Sequence, residues 1–235
     1  MDFRKRIAEL EERICLAAQR VGRDADEIKL LAVTKTHPVE MIKDALAAGA
    51  EYIGENKVQE SLDKIPQLKG LYREFHFIGH LQTNKIKKIL QLEPTLIHSV
   101  DSLHLAEKLD IEKAKTGGIQ DILLQVNTSR EESKFGANPS EASELAHAIN
   151  QLEHVNLVGL MTIGKFTENE AEVRQSFRDL ANLGKQLRGD GLNIKWLSMG
   201  MTNDFEIAVE EGANLLRLGT ALFGQRPKDE KCQIR

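Results

Sequence analysis

The chain has 235 residues, of which 41% are hydrophobic and 29% are charged, and its formal net charge is −4. This length fits one barrel domain of roughly 250 residues better than two enzyme domains, and the composition is typical of soluble proteins. Because nucleic-acid-binding domains usually carry a basic excess, the negative charge argues against a nucleic-acid partner.

The first predicted element is an amphipathic helix over residues 3–21. It carries acidic and basic residues throughout and therefore lacks the apolar segment of a signal peptide. No run elsewhere approaches the ~18 apolar residues of a membrane span. The chain has only two cysteines, Cys15 and Cys232. We therefore expect no disulfide framework, no membrane association and a reducing, cytoplasmic location.

Eight short apolar runs follow, and helical patterns separate them. Several runs are apolar on both faces, as expected of strands in a covered parallel sheet. The predicted strands are 29–35, 52–55, 75–80, 95–100, 121–127, 157–163, 194–199 and 215–223. The predicted helices between them include 39–48, 57–68, 102–115, 139–151 and 169–188.

This alternation predicts the α/β class and a single (β/α)8 TIM-type barrel over residues 29–224. An open doubly wound sheet is the alternative, but its usual glycine-rich first turn is missing. Only eleven residues follow Gly224, too few for a full eighth helix, so the C-terminal end is shortened. We expect the N-terminal helix (residues 1–22) to cover part of that gap, and residues 1–235 to form one domain.

Lys35 closes the first predicted strand, at the end where barrel enzymes carry their active sites. Strand side chains alternate with period two, so Lys35 shares a face with Leu31 and Val33 and should point inward at the barrel mouth. Partial desolvation there lowers the pKa of an amine and makes it a nucleophile for aldehydes. The alternative is a loop lysine that extends to solvent.

Small and hydroxyl side chains accompany the last two predicted strands, where barrels often bind phosphate. Ser198 and Gly200 end the seventh strand, and Gly219 and Thr220 lie in the eighth. Glycine lets backbone N–H groups approach an anion closely, and a helix starting at 203–204 would add its dipole. Tight packing alone would also suit these residue types. Together with an inward lysine, however, they describe a ligand with an aldehyde and a phosphate.

Arg217 shares parity with Gly219 and should face the barrel interior. A buried guanidinium keeps its charge and needs an acceptor. The pyridine nitrogen of pyridoxal phosphate is such an acceptor, and a structural ion pair with a buried carboxylate such as Glu55 is the alternative. A ring nitrogen that meets Arg217 stays unprotonated, which makes the ring a weaker electron sink.

Three further side chains are expected near the ligand. Asn56 follows the second strand and His80 ends the third, so both could contact the ring or its hydroxyl. Met161 lies near the end of the sixth strand and could pack on the ring, although plain core packing fits it equally well. No histidine stands near cysteines or carboxylates at a zinc-like spacing, so we predict no metal.

Two lysine-bearing segments are left over. Lys134 follows the fifth strand and is expected to be a solvated loop lysine, with a second, transient aldehyde acceptor as the alternative. The run at 85–88 (KIKK) predicts a basic helical edge that faces solvent, with docking of an acidic partner as the alternative.

Eight ordered blocks give the chain a recognisable pattern over nearly its full length. It resembles the pyridoxal phosphate homeostasis proteins, which look like the N-terminal barrel of alanine racemase. The blocks are AVTK ending at 35, IGENKVQE at 53–60, HFIGHLQTNK at 76–85, HSVDS at 98–102, NTSREESKFG at 127–136, GLMTI at 159–163, LSMGMTND at 197–204 and RLGTALFG at 217–224.

The resemblance implies a pyridoxal 5'-phosphate cofactor held as a Schiff base on Lys35, with Arg217 near its ring nitrogen. It also implies phosphate contacts from Ser198, Gly200, Gly219 and Thr220. Two positions depart from the usual pattern. Thr202 stands where a serine is usual and keeps the hydroxyl, and His80 stands where a proline is frequent, which leaves its role open.

Two kinds of function remain for such a barrel. One is a carrier or buffer of the cofactor, without catalytic turnover, that supplies pyridoxal-phosphate-requiring apoenzymes. The other is a small amino-acid racemase, which needs a second acid/base group across from Lys35. In the resembling racemases this group is a tyrosine of an additional domain. Here the only tyrosines, Tyr52 and Tyr72, are expected at the opposite end of the barrel. We therefore favour the carrier. A lysine-based aldolase acting on a sugar phosphate is a third reading.

Overall fold

Eight parallel strands close into a barrel in the order β1 to β8, each pairing with the next and β8 pairing with β1. The computed structural model describes residues 1–131 and 134–225. The predicted (β/α)8 barrel is confirmed. The strands are β1 (Lys29–Val33), β2 (Tyr52–Glu55), β3 (Glu74–Phe77), β4 (Leu96–Val100), β5 (Gln120–Gln125), β6 (Val155–Met161), β7 (Trp196–Ser198) and β8 (Leu215–Leu218).

Helices connect the strands around the outside. They are α1 (Phe3–Arg20), α2 (Val39–Ala47), α3 (Val58–Leu68), α4 (Ile86–Leu90), α5 (Leu103–Thr116), α6 (Ala142–Ile149), α7 (Glu170–Gly189), α8 (Phe205–Glu210) and α9 (Thr220–Phe223). Within the described part of the chain, no helix has both the length and the apolar character needed to cross a membrane.

Helix α1 packs against α8 and α9, so it covers the barrel beside β8. Its apolar stripe is buried, and the Asp2 side chain caps its first turn by accepting from the Lys5 N–H. The guanidinium of Arg6 donates to the Leu222 carbonyl, and the rings of Phe3 and Phe223 meet edge to face. The expected cover of the gap by the N-terminal helix is therefore confirmed.

The side chains of the strands alternate between two environments. One set faces the surrounding helices and joins the main hydrophobic core. The other set points into the barrel and forms a smaller apolar layer of Leu31, Tyr52, Leu96, Leu123, Val158, Met161 and Leu215. Polar side chains of β3, β4, β7 and β8 fill the rest of the interior, where His76, His98, Ser198 and Arg217 are buried.

Six strands end earlier than the sequence predicts, and β5 and β6 do so by two residues each. Strand β1 ends at Val33, and the chain then turns with a φ of 66° at Thr36. The predicted eighth strand ran to 223, but β8 ends at Leu218 and 220–223 form α9. Likewise, β3 ends before His80, and β7 ends at Ser198. After β7 and β8, apolar residues suggested a continued strand, but Met199 is buried in the loop after β7, and Leu222 and Phe223 are buried in α9.

Candidate functional site

The carboxyl ends of the eight strands meet at one end of the barrel, which we call the mouth. Because all strands are parallel, the residues that follow them are neighbours in space although they are far apart in sequence. Eight of the nine predicted site residues follow a strand or are its last residue at this end, and Arg217 lies one residue before the end of β8. They are Lys35, Asn56, His80, Met161, Ser198, Gly200, Arg217, Gly219 and Thr220.

Lys35 is partly exposed in the turn after β1, not within the strand as predicted. Its neighbours are held on both sides. The Thr36 N–H donates to Glu60 Oε2 at 2.9 Å, and the Thr34 hydroxyl donates to Glu55 Oε1 at 2.7 Å. Strand alternation therefore does not set the direction of Lys35, because the backbone leaves the strand two residues earlier. Contacts with β2 and α3 fix the turn instead.

Lys64 of α3 ties these contacts together behind the turn. Its ammonium donates to the Thr34 carbonyl at 3.1 Å and to one oxygen each of Glu55 and Glu60 at 3.0 Å. Lys64 and Glu55 are 12% and 0% exposed in their side chains, so the pair is shielded from water. Glu55 uses only Oε1 in these bonds, and its Oε2 is buried without a hydrogen-bond partner. Such a buried pair gives the turn a defined geometry more than it adds net stability.

The two carboxylates of this cluster respond differently to it. Burial raises the pKa of Glu55, because the Thr34 hydroxyl and Lys64 offset only part of the desolvation. Burial alone would also raise the pKa of Glu60. There, the Thr36 N–H and the ammonium groups of Lys64 and Lys57 outweigh it and bring the pKa to about 2. Glu60 is therefore a carboxylate at neutral pH.

Arg217 points into the barrel and is 5% exposed. Its Nη1 donates to the Ser198 carbonyl at 2.8 Å and to Ser198 Oγ at 2.7 Å, and its Nη2 donates to the Thr162 carbonyl at 2.8 Å. Burial lowers the pKa of Arg217 to about 10, while the Asp204 carboxylate opposes that change. The group is thus a buried cation at neutral pH.

The alternative of an ion pair between Arg217 and Glu55 is wrong. Glu55 bonds Thr34 and Lys64 on the outer side of the barrel, and Arg217 bonds oxygens of β7 and the residue after β6. A guanidinium has five N–H groups, and three of them are used in these bonds to described residues. Its remaining donors distinguish it from an arginine saturated by a carboxylate.

The loop after β7 approaches α8 very closely. Gly200 has a φ of 93°, and a Cβ there would lie 2.6 Å from Ala208 Cβ. Asp204 accepts a hydrogen bond from the Met201 N–H at 2.6 Å, and the Thr202 hydroxyl accepts one from the Ala221 N–H of α9 at 3.1 Å. The loops after β7 and β8 are therefore tied together, as one surface shared between the two strands.

Gly219 and Thr220 lie beside the first strand at the mouth. A Cβ on Gly219 would stand 3.5 Å from Val33 Cβ, and Thr220 is exposed. Gly219 precedes the first turn of α9, which begins without a side-chain cap. The Ala221 N–H of this turn is bonded to the Thr202 hydroxyl, so the start of α9 brings the Gly219 backbone and the exposed Thr220 side chain close to the strand that leads to Lys35.

Asn56 and Met161 flank the interior of the mouth. Asn56 Oδ1 is buried and has no hydrogen-bond partner, which is costly unless a ligand supplies a donor. The loop after β3 closes over it, since a Cβ on Gly79 would stand 1.9 Å from the Asn56 carbonyl oxygen. Met161 is 1% exposed and belongs to the apolar layer inside the barrel.

The loops after β3 and β5 meet at the rim. His80 is exposed, and its ring stacks on Phe135 with centroids 4.0 Å apart. The expectation that Lys134 is a solvated loop lysine is wrong. Its side chain is 18% exposed, and its ammonium bonds Glu131 Oε1 at 2.8 Å and the Gly164 carbonyl at 2.9 Å. The β5 loop is thereby joined to the β6 loop.

The predicted basic edge forms α4, with Ile86 buried and Lys87 and Lys88 exposed. Lys85 and Lys88 line a cavity of about 220 Å³ beside the mouth, together with Asn56, Lys57, Val58, Gln59, His80 and Gln82.

Among the described residues, no cluster of histidine, cysteine and carboxylate side chains could hold a metal ion. Cys15 is a free thiol, and Cys232 lies outside the described residues.

Sequence reasoning gave no role to Thr34, Glu60, Lys64 or His98, and it named Glu55 only as the alternative partner of Arg217. Glu60 and Lys64 stand four residues apart on α3, a spacing that indicates an ion pair but not its target. Glu55 ends an otherwise apolar strand, and a charged residue at such a place could have indicated a buried polar cluster. His98 offered none, because its partners lie 22 and 100 residues away in the chain.

Comparison with known proteins relates this barrel to one family. The family model described as the alanine racemase N-terminal domain matches residues 7–227. A pyridoxal phosphate homeostasis protein of Aquifex aeolicus is 42% identical over 227 residues, which cover 96% of this chain and 99% of that protein. A Helicobacter pylori protein of the same name is 41% identical over 224 residues, 95% of this chain and 99% of that one.

A solved structure extends the likeness to three dimensions. PipY of Synechococcus elongatus, in a structure with PLP bound, is 36% identical and has a TM-score of 0.79 over 91% of this chain and 99% of that chain. Matches of this length and identity establish the family. The chain, with its closed barrel and its lysine after the first strand, belongs to the pyridoxal phosphate homeostasis proteins, a family built on the alanine racemase N-terminal domain.

Proposed function

We propose that this protein binds pyridoxal 5'-phosphate and acts in intracellular homeostasis of the cofactor as a carrier or buffer without catalytic turnover. The observation that carries the proposal is the meeting, at one barrel end, of Lys35 after β1 with the glycines after β7 and β8 and the buried cation Arg217. The relatives' name and the PLP-bound PipY structure support it.

The residues at the mouth fit such a group in their chemistry. Pyridoxal phosphate supplies an electrophilic aldehyde carbon, a basic ring nitrogen, a phenolic hydroxyl and a phosphate dianion. Lys35 supplies an amine for the aldehyde, and Arg217 has N–H donors left for a ring nitrogen. Asn56 Oδ1, buried and without a partner, is an acceptor for the hydroxyl.

The phosphate would be held by neutral donors. Backbone N–H groups at Gly200 and Gly219 and the hydroxyl of Thr220 are the donors in reach of one another at the joined β7 and β8 loops. Ser198 contributes differently from the sequence expectation, since its Oγ is already bonded to Arg217. Its hydroxyl and carbonyl would therefore act by holding Arg217 in place and not as phosphate ligands. His80 and Met161 would border the ring from the rim and from the barrel interior.

Two features favour a carrier over a racemase. Arg217 holds its positive charge where the ring nitrogen would lie, so that nitrogen receives a hydrogen bond instead of a proton, and carbanion formation is restrained. In addition, Tyr52 lies at the start of β2 beside Lys29 and Arg73, at the end opposite the mouth. No tyrosine of the chain stands at the mouth, since Tyr72 precedes β3.

The test is an absorption spectrum of the purified protein before and after borohydride reduction, followed by mass spectrometry of the labelled peptide. We expect a yellow protein whose reduced label is on Lys35. The variant Lys35→Ala should lose the covalent adduct completely and keep the wild-type melting temperature. Lys87→Ala, an exposed lysine of α4, is the matched control and should keep both.

Two outcomes would change the proposal. A colourless protein that takes up no added pyridoxal phosphate would overturn cofactor binding and leave a lysine-based aldolase as the better reading. A yellow protein that exchanges the α-proton of alanine with solvent deuterium at an enzymatic rate would overturn the carrier in favour of the racemase. Delivery to apoenzymes is measured separately, as recovery of activity of a pyridoxal-phosphate-requiring apoenzyme mixed with the loaded protein.

A further inference from the structure

A continuous hydrogen-bond chain crosses the inside of the barrel from the mouth to the opposite end. Arg217 Nη1 donates to Ser198 Oγ at 2.7 Å, and Ser198 Oγ lies 3.1 Å from His98 Nδ1. His98 Nε2 lies 3.0 Å from His76 Nδ1, and His76 Nε2 lies 3.0 Å from Glu74 Oε2. Four strands contribute one member or two each: β8, β7, β4 and β3.

The direction of the chain follows from what each end can do. A guanidinium only donates, and a carboxylate only accepts. Glu74 therefore accepts a hydrogen bond from His76, and the Nε2 of His76 must carry a proton. If His76 is neutral, its Nδ1 is an acceptor, and His98 must donate through Nε2–H. The Nδ1 of His98 is then an acceptor for the Ser198 hydroxyl, which is free to donate because its oxygen accepts from Arg217.

Two other arrangements satisfy the same distances. One places an extra proton on His76, which then donates from both ring nitrogens, and reverses every bond as far as Ser198. The other places the extra proton on His98, which then donates to both His76 Nδ1 and Ser198 Oγ. The surroundings disfavour both. The side chain of His76 is 2% exposed, and His98 is fully buried, with the cation Arg217 two bonds away along the chain. A doubly protonated ring would pay a large desolvation penalty here, with only the partly exposed Glu74 to offset it.

The charged groups at the Glu74 end are consistent with the neutral arrangement. The hydrogen bond from His76 lowers the pKa of Glu74, although its partial burial opposes this, and the nearby cations Arg73 and Lys195 act in the same direction as His76. Burial lowers the pKa of His98 well below its ordinary value. Tyr52 contacts the His76 ring edge to face and carries no charge at neutral pH.

We propose that Glu74, at the end of the barrel opposite the mouth, is a positioning residue for the cofactor site. It acts by fixing His76 and His98 as neutral Nε2–H tautomers, which orients the Ser198 hydroxyl away from Arg217. The Arg217 guanidinium then has one defined orientation. The part that concerns the cofactor rests on the proposed function, whereas the tautomers are a property of the protein alone.

The tautomers are tested by nitrogen NMR of the full chain carrying ¹⁵N-labelled histidine. We expect that both buried histidines show a protonated Nε2 and an unprotonated Nδ1. Assignment uses His76→Gln and His98→Gln. A protonated Nδ1 on His98 in the wild-type protein would overturn the proposed direction. This readout needs no cofactor, so it stays informative even if pyridoxal phosphate does not bind.

The positioning role is tested by cofactor release from the loaded protein to an apoenzyme trap. Glu74→Ala should speed release by about three- to ten-fold, a loss comparable to that of one buried hydrogen bond. Glu74→Gln keeps an acceptor oxygen and should recover most of the wild-type rate. Glu51→Ala removes an exposed carboxylate at the same end of the barrel and should leave the rate unchanged.

The outcomes separate the two proposals. If the loaded protein cannot be prepared, the proposed function fails. The tautomers of His76 and His98 still test the direction of the hydrogen-bond chain. If the cofactor binds and release from Glu74→Ala matches that from the wild type, the positioning role is overturned. If Glu74→Ala and Glu51→Ala speed release equally, the effect is general surface charge, and the role is also overturned. Should Glu74→Ala unfold, Glu74→Gln replaces it in the test, and the tautomers of His76 and His98 are measured in that variant by nitrogen NMR.

Discussion

The two ends of the barrel are built from the same strands and differ in how they treat charge. At the mouth, charged side chains are buried and bonded, as in Arg217 and in Lys64 with Glu55. At the opposite end, charged side chains stay in water, as in the pair Arg73–Glu51, where both are more than half exposed. Tyr52 and its apolar neighbours close the barrel interior at that end.

Strained backbone occurs at both ends, twice at the mouth and once at the opposite end among the described residues. At the mouth, Thr36 and Arg130 adopt φ values of 66° and 59°, a region that costs energy for residues other than glycine. At the opposite end, Glu93 has a φ of 51° in the turn before β4, while the apolar layer packs below it. The mouth therefore combines buried charge, strained turns and an unpaired acceptor, a combination that stability alone does not favour and ligand binding explains.

The largest expected effect comes from removing the buried cation. Arg217→Ala leaves the Thr162 carbonyl and Ser198 Oγ without the donor that Arg217 supplies inside the barrel, whereas the Ser198 carbonyl still accepts from the Thr162 N–H at 3.1 Å. Each buried acceptor left without a donor costs about 1–3 kcal/mol, and the truncated side chain leaves a cavity, so we expect a loss of about 3–5 kcal/mol in the free energy of unfolding, measured by denaturant titration, and weaker cofactor binding. Arg73→Ala at the opposite end should leave the denaturation midpoint unchanged. Equal losses of stability in Arg217→Ala and Arg73→Ala would contradict the difference between the two ends of the barrel.

The next effect compares two glycines with positive φ. At the mouth, a methyl group on Gly200 would lie 2.6 Å from Ala208 Cβ and 3.0 Å from Phe205 Cα. At the opposite end, Gly49 has a φ of 117° and open space around it. We expect Gly200→Ala to destabilise the fold by about 3 kcal/mol, from strain and overpacking together, and Gly49→Ala by about 1 kcal/mol, from strain alone. Similar thermal melting of the two variants would contradict the crowding at the mouth.

The smallest effect is a pH dependence that originates at the turn of Lys35. Glu60 has its pKa near 2 in the folded protein and 4.5 as its ordinary value. Since the folded value is the lower one, its contribution to stability is complete above about pH 4.5 and is lost as the pH falls towards 2. Glu60→Gln should flatten that acid limb of the unfolding free energy. Glu12→Gln, on the exposed face of α1, is the control and should leave the slope as in the wild type.

Much of the site could be predicted because it follows from position along the chain. Alternating apolar runs and helical patterns predict the barrel, and the parallel strands put every strand end at one face. Period-two alternation also places Arg217 inside the barrel correctly, since it lies within a regular strand. The same rule fails for Lys35, because the strand ends at Val33 and the turn that follows is fixed by contacts from Glu55 and Glu60.

The sequence by itself determined the order of the eight strands, the end at which Lys35, Gly200 and Gly219 gather, and the family. These depend on local periodicity and on motif order, which are written along the chain. Only the tertiary structure decided which charged groups are buried and which partners they bond. Lys134 bonds the Gly164 carbonyl, Lys64 lies behind the Lys35 turn, and a hydrogen-bond chain runs from Arg217 to Glu74. Those partners come from different strands, and a hydrogen bond between residues 100 positions apart depends on closure of the barrel, which local sequence does not encode.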